Sequence, residues 1–313
     1  MTTELIGRRD FLLRALALLA ASAAPEAWAQ AGAGNFKAVY LDVAERDRFF
    51  KFLQTVFHLY PEKRFHQLIL DLTKEKGSDQ EIYAALLAEL PKLRTLLGPV
   101  RYDLPALRKQ KKEMTRQALE LLGPSPSAKG FMEVGSPGRY WSRLKRAVRL
   151  SGPVYVFHDE ALHYDMADMV ERGGPKMPGK FLNMGDYEPV PASVPDASLD
   201  LIVNFIGFHH APAAKLAPFV ASLRRVLRPG GRMLVRDHDV DSRKQDVLTA
   251  LAHDVFNAGL LIPWAETERQ VRLFRSLRDW TDYLQAAGFK RSEKLLAQAG
   301  DPTQNLLAEY IKA

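Results

Sequence analysis

Two short groups of residues in the second half of the chain have the composition of proton-transfer sites. Residues 207–210 read Gly-Phe-His-His, and residues 237–239 read Asp-His-Asp. An imidazole exchanges a proton near neutral pH, and a neighbouring carboxylate can fix its tautomer. His209, His210, His238 and Asp237 are therefore candidate general bases. With Asp239 they also supply enough nitrogen and oxygen ligands for a divalent metal ion, although their spacing follows no recognised ligand motif. A third group is suited to holding a ligand. In Glu133-Val-Gly135-Ser-Pro-Gly138, Gly135 permits a tight turn and Gly138 lets the backbone approach a bound molecule. Asp159, Gly185-Asp186 and Asn204 follow at intervals that place a polar group after each successive strand. The chain has no Cys, which excludes a thiol nucleophile, a cysteine zinc site, an iron–sulfur cluster and a disulfide scaffold.

The elements that must position these residues differ along the chain. From Phe36 to about Ser127 the apolar residues recur at helical spacing: Phe49, Phe52, Leu53, Val56 and Phe57; then Ile82, Leu86, Leu90 and Leu93; then Met114, Ala118, Leu121 and Leu122. Asp79 is placed to cap the second run, and Pro91 interrupts it. The basic stretch 108–113 reads as a solvated helix face. Pro-Ser-Pro-Ser at 124–127 is the predicted seam. Beyond it strands and helices alternate, the pattern of a parallel sheet wrapped by helices. Strands are predicted at 130–134, 154–157, 180–184, 199–205 and 232–235, with a terminal hairpin at 289–296 and 305–311. Helices are predicted at 140–150, 162–172, 214–227 and 278–287. In such a sheet ligands bind at the carboxyl ends of the strands, near the point where strand order reverses. All three groups fall at those ends.

Two longer phrases sharpen the reading. Residues 195–204, Pro-Asp-Ala-Ser-Leu-Asp-Leu-Ile-Val-Asn, lead into the fourth strand, and residues 223–232, Leu-Arg-Arg-Val-Leu-Arg-Pro-Gly-Gly-Arg, turn a helix into the fifth. With these phrases, residues 130–313 resemble the class I S-adenosylmethionine-dependent methyltransferases, most of all the small-molecule branch called type 11. The resemblance implies an α/β fold. Its core is a Rossmann-like, seven-stranded, mostly parallel sheet with helices on both faces and an antiparallel last strand, here preceded by a helical N-terminal region. It implies S-adenosyl-L-methionine as cofactor. Glu133, Gly135 and Gly138 would cradle the methionine part and Asp159 the ribose, with His158 and Glu160 competing for that role. Asp186 would meet the adenine amino group, and Asn204 would lie beside the sulfonium. The loop departs from the family's Gly-x-Gly-x-Gly at Pro137 and Arg139. Trp264, Glu266, Glu268, Phe274 and Arg275 fall in the interval that covers the acceptor in this family.

The first thirty residues read as an address. Gly-Arg-Arg-Asp-Phe-Leu-Leu-Arg at 7–14, an apolar run at 15–24 and Ala-Trp-Ala at 27–29 resemble a twin-arginine (Tat) signal, with cleavage near Ala29. The apolar run is too short to span a bilayer, which takes about 20 residues. The expectation is a periplasmic protein with domains at 1–29, 36–127 and 128–313, carried by the twin-arginine export machinery and not inserted in the membrane after cleavage. A net charge of +7 over 313 residues permits an anionic partner without demanding one. The expected activity is methyl transfer by in-line displacement to oxygen or nitrogen of a small molecule, with no nucleic-acid partner. Because S-adenosylmethionine is made in the cytoplasm, the rival reading is an exported, non-catalytic binding protein that keeps the fold for a nucleoside-like or metal ligand. An RNA methyltransferase and an NAD-dependent dehydrogenase are weaker rivals.

Overall fold

The computed structural model describes residues 34–93, 104–161, 166–176 and 178–313. The twin-arginine signal at 1–29 and the first turn of the helix predicted at 162–172 lie outside the described residues. In chain order the elements are α1 (Asn35–Tyr40), α2 (Val43–Phe52), a π-helical turn (Leu53–Phe57), α3 (Glu62–Glu75), α4 (Asp79–Leu93), α5 (Leu104–Leu122), β1 (Ser127–Val134), α6 (Trp141–Ala147), β2 (Arg149–His158), α7 (Met166–Arg172), β3 (Lys180–Asn183), β4 (Leu199–Asn204), α8 (Ala213–Val226), β5 (Leu227–His238), α9 (Arg243–Gly259), α10 (Trp264–Thr267), α11 (Leu277–Ala286), β6 (Phe289–Ala297) and β7 (Asn305–Lys312). Among the described residues no helix is long and apolar enough to cross a membrane.

The chain forms two compact units. One takes residues up to Gln110 together with Val240–Phe274 and Gln298–Asn305; the other takes Lys111–Asp239, Arg275–Ala297 and Leu306–Ala313. The first unit is helical and its core is aromatic. Phe36, Tyr40, Phe49, Phe52, Phe57, Tyr60 and Phe65 pack with Leu248, Leu251, Val255 and Ala258 of α9. Tyr60 donates its hydroxyl to the Gly259 carbonyl at 3.0 Å, and Tyr83 donates to that of Ile262 at 2.8 Å. Helix α9 is absent from the sequence reading. Its signal is present, however: a Ser242 side chain capping the Gln245 N–H, then apolar residues three and four apart. Asp79 does not cap α4. Ser78 does so through the Glu81 N–H, while the Asp79 carboxylate accepts the N–H groups of Asn35 (2.6 Å) and Phe36 (3.3 Å) at the start of α1. Pro91 sits in the last turn of α4 and the helix continues to Leu93.

The second unit is a seven-stranded sheet in the order β3-β2-β1-β4-β5-β7-β6. Strands β1 to β5 pair in parallel, and β6 and β7 form the antiparallel hairpin. Alternation along the strands sends Met132, Val134, Phe157, Ile202, Met233 and Val235 to a core shared with Phe219 of α8 and Trp280 of α11. The opposite set, Phe131, Leu201, Val203, Leu234 and Leu307, packs with Met114, Ala118 and Leu121 of α5 and Leu144 of α6. Helices thus cover both faces, as a parallel sheet requires. The helix expected at 140–150 stops at Ala147 and Arg149 already begins β2. The two longest motif phrases interlock. Arg225 pairs with Asp196 at 2.5 Å and Arg228 with Asp200 at 2.7 Å, clamping the start of β4 to the helix–strand turn before β5.

Candidate active site

Strand order reverses between β1 and β4, so the carboxyl ends of these strands flank the ligand-binding crevice of an open α/β sheet. Glu133, near the end of β1, is fully buried. Its carboxylate accepts the Ser136 hydroxyl (2.5 Å) and the N–H groups of Tyr140 and Trp141 (3.0 Å for the latter). It therefore ties down the glycine loop and caps the start of α6, where a negative charge also meets the positive end of the helix dipole. Burial raises its pKa, and these three donors pull it back down. Gly135 (φ 73°) and Gly138 (φ 80°) lie in the left-handed region. A side chain on Gly135 would strike the Cδ1 of Ile206, and one on Gly138 the ring of Pro178. Backbone and neighbouring chain thus approach as closely as glycine allows.

The residues expected to grip the rest of a nucleoside have partners of their own. Asp159 Oδ1 accepts the Asp186 N–H at 3.0 Å. Asp186 (φ 57°) places its carboxylate 3.0 Å from the ammonium of Lys215, which also reaches Glu188. Asn204 is fully buried. Its Oδ1 accepts the N–H groups of Ile206 and Gly207, and its Nδ2 donates to the Gly207 carbonyl, so it builds the turn after β4. His158, the last residue of β2, is 1% exposed, and among the described residues neither ring nitrogen has a hydrogen-bond partner.

The acidic and imidazole groups converge at the ends of β4 and β5. Asp237 Oδ2 accepts the Phe208 N–H at 2.7 Å; its Oδ1 accepts the His238 N–H at 2.8 Å and contacts His209 Nδ1 at 2.7 Å. The His209 ring lies 4.1 Å from that of His210 and 5.2 Å from that of His238, centroid to centroid. Strand alternation predicts that only alternate members of Asp237-His238-Asp239 share a cleft. At the strand end, however, the 206–210 loop is tied across β5, so the Asp237 carboxylate and the His238 ring both reach His209. Asp239 is turned elsewhere and caps α11 by accepting the Leu277 N–H at 2.7 Å. Burial pushes the Asp237 pKa up to about 6, against the opposing pull of His238 and the Phe208 N–H. An ionised Asp237 favours the ring form that carries its proton on Nδ1, and in the neutral ring that form leaves the lone pair on Nε2.

The remaining acceptor-pocket candidates divide between the two units. Trp264 packs on Tyr83 (5.2 Å between ring centroids) and Phe274 on His253 (5.1 Å), both inside the helical unit, while Glu266 and Glu268 are exposed. Arg275 lies in the sheet unit, over the rings of Trp280 and Tyr283. Three residues of the sheet unit escape the sequence reading. Lys111 is buried within what reads as a solvated basic face, Ile206 covers Gly135, and Arg139 points into an ion pair with Glu171 rather than merely adding bulk. A cavity of about 240 Å³ opens at the amino ends of the strands, and two of its lining guanidiniums are paired: Arg228 with Asp200 and Arg232 with Glu309.

Fold and site together define a nucleotide-type α/β domain with an acid–imidazole pair at its carboxyl edge. The methyltransferase-domain family matches residues 106–293, three fifths of the chain, and the protein belongs to that family. No curated protein matches it. Among solved structures it is similar to the Burkholderia thailandensis 1,6-didemethyltoxoflavin-N1-methyltransferase with bound 1,6-didemethyltoxoflavin and S-adenosylhomocysteine. That similarity is 13% identity over 76% of this chain and 92% of the other, with a TM-score of 0.43. It is also similar to the mitomycin 7-O-methyltransferase MmcR (16% identity, 88% and 75% covered, TM-score 0.45) and to the pyocyanin biosynthetic protein PhzM (13%, 87% and 74%, 0.48). The residues present suit the family's cofactor in two respects. The end of β1 carries two left-handed glycines in a buried turn, and the end of β2 carries a buried imidazole whose hydrogen-bonding capacity is unmet among the described residues.

Proposed function

We propose that the protein transfers a methyl group from S-adenosyl-L-methionine to an oxygen or nitrogen of a small-molecule acceptor. The observation that carries this is the buried Asp237–His209 pair at the carboxyl ends of β5 and β4 in a chain of the methyltransferase family. When bound, the cofactor supplies a methyl group already activated by its sulfonium. The tasks left to the protein are alignment, exclusion of water and removal of a proton if the acceptor carries one. Glu133, with Gly135 and Gly138, holds the loop that would receive the methionine part. Asp159 fixes the backbone at Asp186 on the side where the nucleoside would lie. His209 Nε2 takes the acceptor's proton, Asp237 stabilises the resulting imidazolium, and His210 and His238 enclose the ring.

Calorimetric titration of S-adenosylmethionine and S-adenosylhomocysteine into the full chain tests the reading. Micromolar binding, with the demethylated product at least as tight, is the expected result. A folded protein that binds neither at millimolar concentration would favour the second reading, a binding protein that keeps the fold without catalysis. That alternative draws on Ile206 and Pro178, which lie against the two glycines, and on Asn204 and Asp186, which are engaged within the chain. We further propose export by the twin-arginine route, with cleavage after Ala29 and a periplasmic location. Fractionation that finds an uncleaved, cytoplasmic chain would overturn it.

A further inference from the structure

A charged surface of the sheet unit takes no part in the mechanism above. Between Glu133 and Asp159 the chain carries no acidic residue but five cations: Arg139, Arg143, Lys145, Arg146 and Arg149. Arg139 turns inward to Glu171, and the other four lie at the surface. Helix α6 buries Ser142 and Leu144, so Arg143, Lys145 and Arg146 project from its outer side; Arg149 opens β2 three residues later. Arginines elsewhere in this unit are engaged: Arg116 by Glu113, Arg225 by Asp196, Arg228 by Asp200 and Arg232 by Glu309. By contrast, Arg143, Arg146 and Arg149 contact no acceptor among the described residues. Lys145 and Arg146 lie in the last turn of α6 and answer the negative end of its dipole, but Arg143 and Arg149 lie outside that turn. Four like charges held this close repel one another, and an anionic surface relieves that repulsion.

Trp141, at the head of the same helix, is partly exposed. Its ring is held by Phe131, at 5.6 Å between centroids, and by Lys145, whose Nζ lies 5.6 Å from the ring centre. A ring so engaged is a poor seat for a stacked base, which is how single-stranded nucleic acids add affinity to a basic groove. An indole rimmed by cations suits a bilayer interface instead: the indole sits at headgroup level, and each Lys or Arg is drawn to anionic lipid. We propose that the outer side of α6 and the start of β2 dock the protein reversibly on a bilayer rich in anionic phospholipid. Arg149 begins its strand, so the patch reaches the amino edge of the sheet. Asp237 and His209 lie at the opposite, carboxyl edge, which a docked protein keeps turned away from the lipid. The surface does not depend on the methyl-donor reading.

The test is flotation of the full chain with phosphatidylcholine vesicles, with and without phosphatidylglycerol. The wild type should bind the anionic vesicles at least about tenfold more tightly in roughly 0.05 M salt, and lose that preference near roughly 0.5 M, where surface charges are screened. The apolar run at 15–24 can also enter lipid, so the deciding comparison is the quadruple variant Arg143→Gln, Lys145→Gln, Arg146→Gln, Arg149→Gln. With thermal melting unchanged, it should lose about tenfold or more in affinity for the anionic vesicles. The charge-keeping variant Arg143→Lys, Arg146→Lys, Arg149→Lys should retain the binding. A wild type with no preference for anionic lipid, or a preference that survives the quadruple variant, overturns the proposal. So does binding of a single-stranded DNA oligonucleotide that is tighter than vesicle binding and lost in the same variant, which would make nucleic acid the partner.

Discussion

At the residue scale the most informative groups are buried and ionisable. Asp237 has a folded-state pKa of about 6, above its ordinary value near 4, because its charge is buried. Between these values the folded state holds more proton than the unfolded one, so this group makes stability fall as pH rises from about 4 to 6 and contributes no further change above that. Urea denaturation of the wild type and Asp237→Asn across this range should show the wild type losing ground to the variant as pH increases. Parallel curves would contradict the assignment. Lys111 has the opposite sign. Its pKa falls to about 8, so the unfolded state binds more proton up to the ordinary lysine value, and stability should rise between pH 8 and about 10.5 by up to roughly 3 kcal/mol. Lys111→Met should abolish that rise. Glu133→Gln leaves three donors competing for a weaker acceptor and should cost about 1–3 kcal/mol in the same measurement. Of these residues, Glu133 and Asp237 are legible in the sequence because a polar residue ending an apolar strand marks the edge where ligands bind. Lys111 is not, because one lysine in Arg-Lys-Gln-Lys-Lys reads as solvated until the helix packs.

At the element scale the glycine loop and the turn after β4 constrain each other. Gly135→Ala adds a Cβ that would lie 2.0 Å from Ile206 Cδ1 and also forces alanine to φ 73°. The left-handed conformation alone costs about 1–2 kcal/mol. Ile206→Ala should relieve the collision but leave the conformational cost. The double variant should therefore recover part of the stability lost by Gly135→Ala, as read by chemical denaturation; strict additivity would mean the two side chains do not meet. The strands were the most legible elements. Their runs of branched and aromatic residues sit between glycine and proline punctuation, and each predicted strand overlaps an observed one. The polar residues at the strand ends were legible as positions but not as partners. Asn204 and Asp186 stand where the pattern put them, yet their hydrogen bonds go to Gly207 and Lys215, which lie on the following loop and helix. Pattern alone fixes where a strand ends and leaves open what its last side chain will meet.

At the scale of the whole molecule, the helical unit is assembled from three separate stretches of chain. Its core joins Phe36, Phe49 and Phe65 to Leu248, Leu251 and Val255. A fragment starting at residue 128 would carry α9 with its apolar face stripped of these partners. It should aggregate or bind a hydrophobic dye, whereas the full chain should melt cooperatively; a soluble fragment with native-like melting would show that α9 can bury itself otherwise. The change from helix to strand at 124–127 was legible as a break in the helical pattern, but the two units divide earlier, between Gln110 and Lys111 inside α5. That the chain returns to the helical unit was not, since nothing local in residues 243–259 says which core their apolar face will join.

This interleaving also sets an order of events during synthesis. Helices α1 to α4 leave the ribosome well before α9, which they need to complete their core, and Ile262 follows some 170 residues after Leu93. At about 5–20 residues per second that interval lasts roughly ten to thirty seconds. Through it Phe36, Phe49, Phe57 and Phe65 have no finished interior to enter. The nascent chain is thus a natural client for a holding chaperone, and slowing translation over the β-strand segment would lengthen its time at risk.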